Sequence, residues 1–248
     1  MALYIIGLGL LDEKDITLKG LEAVQSCDKV YLESYTSRLA CPVEDMESLY
    51  GKRIITADRE IVESEGDSIV DEAKDKNVSF LVIGDPFCAT THNDLILRAK
   101  EKNVEVKVIH NASVINAVGE TGLDLYKFGR ITSIPFDNEH VFSPVEVINS
   151  NLEHGLSTLV LLDLDPKNNL YMTVSEALDF LQKKGLDKNI FCVGCAGIGS
   201  GNPEIFLGKL SEVRKKNFSL FPQCVVVPGK MHFMEEEILN RFKEAFSS

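Results

Sequence analysis

One local pattern constrains this chain more than any other. A short apolar run with the character of a buried strand stops abruptly at glycine or small polar residues, and it does so near residues 7, 84, 111, 197 and 228. Residues 3–6 run into Gly7-Leu8-Gly9-Leu10-Leu11-Asp12. Residues 80–83 run into Gly84-Asp85-Pro86, which forbids both helix and further ladder pairing and so forces a sharp loop with a carboxylate at a strand's carboxyl end. Residues 104–110, 190–196 and 224–227 end in the same way, at Asn111-Ala112-Ser113-Val114, at Gly197-Ile198-Gly199-Ser200-Gly201-Asn202-Pro203, and at Pro228-Gly229-Lys230-Met231-His232. Helical spacing fills the intervals, so the chain is expected to be an α/β protein. In open α/β sheets ligands gather outside the carboxyl ends of the strands, so these turns are expected to surround one crevice between two α/β lobes.

Read in order, the first helix is seeded by Leu18, Leu21 and Val24, with Asp15 or Thr17 as N-cap, and a strand at 29–32 ends in Glu33. Residues 34–50, mixed and polar with Pro42 among them, read as an excursion over the surface, and 52–56 as a short strand. An acidic helix over 60–74 turns Ile61, Ile69, Val70 and Ala73 toward a core. Thr91-His92-Asn93-Asp94 resembles a capping box opening a helix over 95–100, which gives His92 a structural role with ready backbone partners. A short helix follows Val114 and a strand occupies 131–134. The domain change is expected near residue 112, giving an N-terminal α/β domain over 1–112 and a C-terminal α/β domain over 113–248 that repeats its architecture. Within the second domain, helices are read at 144–152, 174–183, near 210–215 and at 234–246, with strands at 158–162, 190–196, 205–207 and 224–227.

Charge and cysteine usage exclude several functions. With 26 Lys and Arg against 38 Asp and Glu, the net charge of −12 argues against nucleic acid as the main ligand, because phosphate contacts need clustered cations. No apolar run is long enough for a membrane span and the start lacks a basic leader, so a cytoplasmic protein without a membrane partner is expected. The six cysteines are scattered and mostly lie in apolar runs, as reduced buried thiols do. Cys192-Val193-Gly194-Cys195 has CxxC spacing, yet on a strand residues three apart face opposite sides, so a core strand rather than a metal site is expected. Gly7-Leu8-Gly9 invites a dinucleotide reading, and with it a non-catalytic nucleotide-binding module, with Glu33 at a ribose-binding distance along the chain. Against it, Asp12 replaces the third glycine, and Asp12-Glu13-Lys14-Asp15 would crowd a pyrophosphate with negative charge before the helix begins.

The motifs taken together carry a resemblance. Residues 4–10 (Tyr-Ile-Ile-Gly-Leu-Gly-Leu), 15–22, 33–37, 84–92 (Gly-Asp-Pro-Phe-Cys-Ala-Thr-Thr-His), 108–114 (Val-Ile-His-Asn-Ala-Ser-Val), 122–129 and 228–232 together resemble the diphthine synthase family across essentially the whole chain. That family belongs to the tetrapyrrole-methylase class of S-adenosylmethionine-dependent methyltransferases. The resemblance implies two α/β domains with the cofactor cleft between them, a homodimer, and successive methylation of a modified histidine on translation elongation factor 2. Carried over motif by motif, cofactor contacts fall on Leu10, Asp85, Cys88, Ser113, Val114, Leu162, Ile198 and His232, with no metal and no assigned general base. The chain departs from the family pattern at Gly197, where relatives carry an arginine, and a neighbouring Lys or Arg is expected to substitute. The alternative within the same fold is a methyltransferase acting on a small tetrapyrrole-like molecule.

Overall fold

The computed structural model describes residues 1–88 and 92–243, with the side chains of all but residues 59, 60 and 62–65. The chain divides into two compact units, Met1–Ile115 and Asn116–Ser248. The capping-box Thr91 and the end of the helix expected to reach Phe246 lie outside the described residues.

In the first unit the strands are β1 (Ala2–Gly7), β2 (Lys29–Glu33), β3 (Ile54–Ala57), β4 (Val78–Val82) and β5 (Glu105–Ile109), and the helices are α1 (Leu18–Ser26), α2 (Val43–Tyr50), α3 (Arg59–Glu72) and α4 (Asn93–Glu101). The strands form a sheet in the order β3-β2-β4-β1-β5, and its four neighbouring pairs are all parallel. A parallel sheet is covered on both faces, which is why β1, β2 and β4 are nearly continuous apolar runs. Alternation sorts their side chains: Leu3, Ile5, Phe80 and Val82 join Ile69, Val70 and Leu95 in one core, while Ile6, Val30, Leu32 and Leu81 join Val24, Met46 and Tyr50 in the other. Thr17 is the N-cap of α1 and its side chain accepts from the Gly20 N–H. Leu18, one of the residues that suggested the helix, is exposed, and Gly20, Ala23 and Val24 form the buried stripe.

Two expectations fail in this unit. Residues 43–50 are not a surface excursion but α2, with Pro42 as N-cap and with Met46 and Tyr50 buried. The mixed composition hid two core anchors, one helical turn apart, among the exposed Glu44, Asp45 and Ser48. His92 does stand at the N-cap position of α4, but its side chain makes no capping bond.

A short helix, α5 (Val114–Ala117), lies at the division between the units. In the second unit the chain forms β6 (Thr132–Ile134), α6 (Ser143–Glu153), β7 (Thr158–Leu162), a small ribbon of β8 (Leu164–Asp165) and β9 (Leu170–Tyr171), α7 (Val174–Lys183), β10 (Phe191–Ala196), β11 (Glu204–Lys209), α8 (Leu210–Val213), β12 (Gln223–Val227) and α9 (Phe233–Asn240). The main sheet runs β11-β10-β12-β7-β6. It does not repeat the first one. Only β6 and β7 pair in parallel, whereas β10–β11, β10–β12 and β12–β7 are antiparallel. One large core backs this sheet, built from Val160, Leu162, Leu178, Leu181, Cys192 and Val225 among others. The CxxC pair divides between faces as a strand requires. Burial pushes the Cys192 thiol up to about 12, and Cys195 is raised by its hydrogen bond to Cys224 and by burial.

Candidate functional site

In the first unit the turns after β1, β4 and β5 are stitched into one structure. Gly9 and Gly84 form an isolated bridge, with Gly84 N–H donating to Gly9 O at 2.7 Å and Gly9 N–H to Gly84 O at 3.3 Å. Both have φ of +84°, a conformation that glycine adopts without a Cβ penalty. Gly7 is needed for closeness instead: a Cβ there would stand 2.6 Å from Gly84 O and 2.8 Å from the Cβ of Asn111. Asn111 then ties the third turn to the first, its amide nitrogen donating to Gly7 O (2.9 Å) and Asp15 O (3.0 Å), while its Oδ1 accepts from Ala112 N–H.

Asp85 completes the assembly. It is 5% exposed, and Oδ1 accepts from Phe87 N–H at 2.9 Å while Oδ2 accepts from Asn111 N–H at 3.1 Å and from His110 Nδ1 at 2.8 Å. Burial alone would raise its pKa, but the bonds from Phe87, His110 and Asn111 hold the carboxyl below the usual carboxylate range. Cys88 N–H donates to Asp85 O, and the Cys88 thiol, raised by burial and by the Asp85 charge, contacts both Asp85 and Ser113. The structure therefore brings Leu10, Asp85, Cys88, Ser113 and Val114 onto three adjoining turns at the carboxyl edge of one parallel sheet.

The same geometry removes the dinucleotide reading. The Leu10 and Leu11 N–H groups, which a pyrophosphate would use, both donate to Asp15 Oδ2, at 3.1 and 2.7 Å. Asp15 is thus the clasp of the first turn rather than a helix cap. His92 is 2% exposed with its ring edge-on to Phe80 (5.2 Å) and Tyr35 (6.1 Å), and neither ring nitrogen has a hydrogen-bond partner among the described residues. It is a packed core ring, and the backbone partners expected for it are not found among the described residues. Burial lowers its pKa to about 4.

In the second unit the expected residues separate. Leu162 ends β7, and Ile198 follows Gly197, whose N–H donates to Pro222 O beside the start of β12. Because β12 runs antiparallel to β7, Leu162 and the 197–203 loop share one end of the sheet. The turn 228–232 leaves the other end: Gly229 N–H donates to Ser157 Oγ and Lys230 N–H to Gly155 O, both just before β7 begins. Val227, which pairs with Thr158, is therefore roughly 14 Å from Leu162 along the sheet at about 3.4 Å per residue, and His232 lies in the turn that follows it. The Leu162 side chain belongs to the core, so its main chain is the part a ligand could reach. His232 is exposed as N-cap of α9, and buried Glu235 fixes its turn by accepting from His232 N–H (2.6 Å), Asp124 N–H (3.0 Å) and Lys127 Nζ. Gly199 N–H donates to Glu120, and a Cβ at Gly197, with φ of +62°, would meet Leu220 at 2.9 Å. Sequence reading passed over Asp15, His110, Asn111 and Glu235 as site-builders. The signal for His110 and Asn111 was their place, two polar residues directly at a strand's carboxyl end.

Comparison with known proteins agrees with this architecture. The family model for Tetrapyrrole (Corrin/Porphyrin) Methylases matches residues 2–214. Among relatives, the diphthine methyl ester synthase of Dictyostelium discoideum is 40% identical, over 98% of this chain and 98% of that one. The diphthine synthase of Methanocaldococcus jannaschii is 43% identical, over 96% and 97%. A crystal structure of diphthine synthase superposes with a TM-score of 0.93 at 38% identity, covering 98% of this chain and 96% of that one. The chain belongs to the tetrapyrrole methylases and, within them, to the diphthine synthase family. It is a methyltransferase of diphthamide biosynthesis.

Proposed function

We propose that the methyl donor is S-adenosylmethionine and that the acceptor is the amino group of the modified histidine on translation elongation factor 2, methylated in successive rounds to diphthine or its methyl ester. The observation that carries the donor assignment is the stitched triple turn of the first unit. Its N–H groups at Leu10 and Leu11 are already taken by Asp15 and so are closed to a phosphate, and on the neighbouring turn the buried carboxylate of Asp85 is held in its ionised form. Such a surface suits an adenosine derivative that carries a positive charge and no phosphate. The acceptor assignment rests on the names of the relatives.

When bound, S-adenosylmethionine supplies an electrophilic methyl group on a sulfonium sulfur. This chain's part is to hold donor and acceptor in line and keep water out, and alignment of this kind is worth roughly 7–11 kcal/mol. Leu10, Asp85, Cys88, Ser113 and Val114 are proposed as the first unit's cofactor contacts, and Leu162 through its main chain, Ile198 and His232 as those of the second. Asp85 is an unsuitable base, because its oxygens accept from three loop donors that stabilise the ionised form. A cytoplasmic homodimer is proposed on the family likeness.

The test is mass spectrometry of elongation factor 2 carrying the unmethylated modified histidine, after incubation with the protein and isotope-labelled S-adenosylmethionine. Gains in whole methyl units are expected on that residue. Their absence would leave a small tetrapyrrole-like acceptor as the better reading. Asp85→Ala is expected to lower S-adenosylhomocysteine affinity by about tenfold or more while the protein stays folded, read by calorimetry and circular dichroism.

A further inference from the structure

We propose that His110 is the catalytic proton acceptor for the amine, held by Asp85 in the tautomer that leaves Nε2 free to receive the proton. The proposal rests on the acceptor being an amine, as argued above. In the step, an N–H bond of the acceptor ammonium breaks and its proton passes to Nε2 of His110. The freed lone pair forms the new N–C bond while the methyl C–S bond breaks, its electron pair remaining on sulfur. The proton then leaves His110 for solvent before the next round.

Four observations lead to this assignment. First, Nδ1 lies 2.8 Å from Asp85 Oδ2, and an ionised carboxylate only accepts, so Nδ1 carries the hydrogen and Nε2 of the neutral ring keeps its lone pair. Second, the partners are unequally exposed: the His110 side chain is 65% exposed and the Asp85 side chain 7%, so a buried, loop-anchored group orients a ring open to a visiting molecule. Third, the ring stands directly after β5, one residue before the Asn111 that ties the three turns together, and three before Ser113. It is thus at the sheet edge where this fold receives ligands. Fourth, the exposed Phe87 ring lies 5.6 Å from it, an apolar wall on the same loop as Asp85.

No other group on these turns serves as well. Among the described residues Asp85 is the one charged group within ion-pair distance of His110, and the Cys88 thiol beside Asp85 is raised and stays protonated. An α-ammonium or alkylammonium acceptor, with a pKa of roughly 8–10, is mainly protonated near neutrality and cannot attack. A positioned acceptor typically contributes 10²–10⁴-fold.

The experiment follows single-turnover methyl transfer to the unmethylated factor between about pH 6.5 and 9.5, for the wild type, His110→Gln and His110→Ala. At neutral pH both variants are expected to be slower by about 10²-fold, with S-adenosylhomocysteine affinity within about threefold of wild type. The deficit should shrink by about tenfold per pH unit as solvent deprotonates the amine, and added imidazole should restore part of the His110→Ala rate. Rates within threefold of wild type, or a deficit that stays constant with pH, would overturn the assignment. So would loss of S-adenosylhomocysteine binding in both variants, which would make His110 a cofactor-site residue. A wild type that transfers no methyl would instead refute the acceptor assignment on which the proposal rests.

Discussion

Single residues carry much of what distinguishes this protein, and His92 shows how far a residue's neighbours outrank its motif. Its ring is enclosed by Phe80 and Tyr35, and its Nε2 lies 4.0 Å from Glu33, whose carboxylate already accepts from Tyr35 and Thr36. Burial wins and the folded pKa falls to about 4, against roughly 6.5 in the unfolded chain. Between these values the unfolded state binds more protons, so stability is lost as pH falls from about 6.5 toward 4. The loss between pH 7 and pH 5 should be on the order of 2 kcal/mol, read from urea midpoints, and His92→Phe should lose measurably less over the same interval. Equal losses would mean that the ring is hydrated in the folded protein. The motif containing His92 was legible in the sequence, but its burial was not, since burial depends on Tyr35, far away along the chain. His110 was obscured for the opposite reason: it closes an apolar run and reads as the last residue of a strand until Asp85 is seen beside it.

At the scale of elements, the parallel sheet of the first unit was almost fully legible because each of its central strands is a continuous apolar run ended by a turn signal. The mixed sheet of the second unit was misread as a repeat, although the chain held the clue. Only seven residues, 197–203, separate β10 from β11, and a parallel crossover needs a dozen or more, so the glycine-rich loop had to be a hairpin. The stitched turns of the first unit make a contrasting prediction for two glycines. Gly84→Ala makes only ordinary contact, with the nearest atom 3.9 Å from the new Cβ, so it should cost only the strain of a positive φ, about 1–2 kcal/mol. Gly7→Ala drives a Cβ into Gly84 O and Asn111, so it should separate the turns and lower S-adenosylhomocysteine affinity more than Gly84→Ala does. Thermal melts and calorimetry on the two variants check the order, and the reverse ranking would refute the account of the turns.

Across the whole molecule, two sheets with separate cores share one chain, and local stability should follow that division. Hydrogen exchange read by mass spectrometry is expected to show two separately protected centres, one over β1 and β4 and one over β10 and β12. The edge strands β3, β5, β6 and β11 should exchange first, since each pairs on one side only. Protection that ran uniformly through both units would contradict this. Fold class and family were readable from the order of motifs, but the end of the sheet at which the 228–232 turn begins was not, because it follows from strand direction, which the residues of a single strand do not record.

Asn111 gives the site a vulnerability to time. Its amide nitrogen holds two carbonyl oxygens, those of Gly7 and Asp15, and through them the first and third turns stay in register. Asparagine slowly hydrolyses to aspartate in ageing proteins, an exchange of one nitrogen for one oxygen that barely alters shape. Here that exchange would set a carboxylate against both carbonyls, turning two attractions into two repulsions in a half-buried place. Old molecules would then lose the ligand-facing turns while both cores stayed intact, so a preparation could keep its melting behaviour and still decline in active fraction.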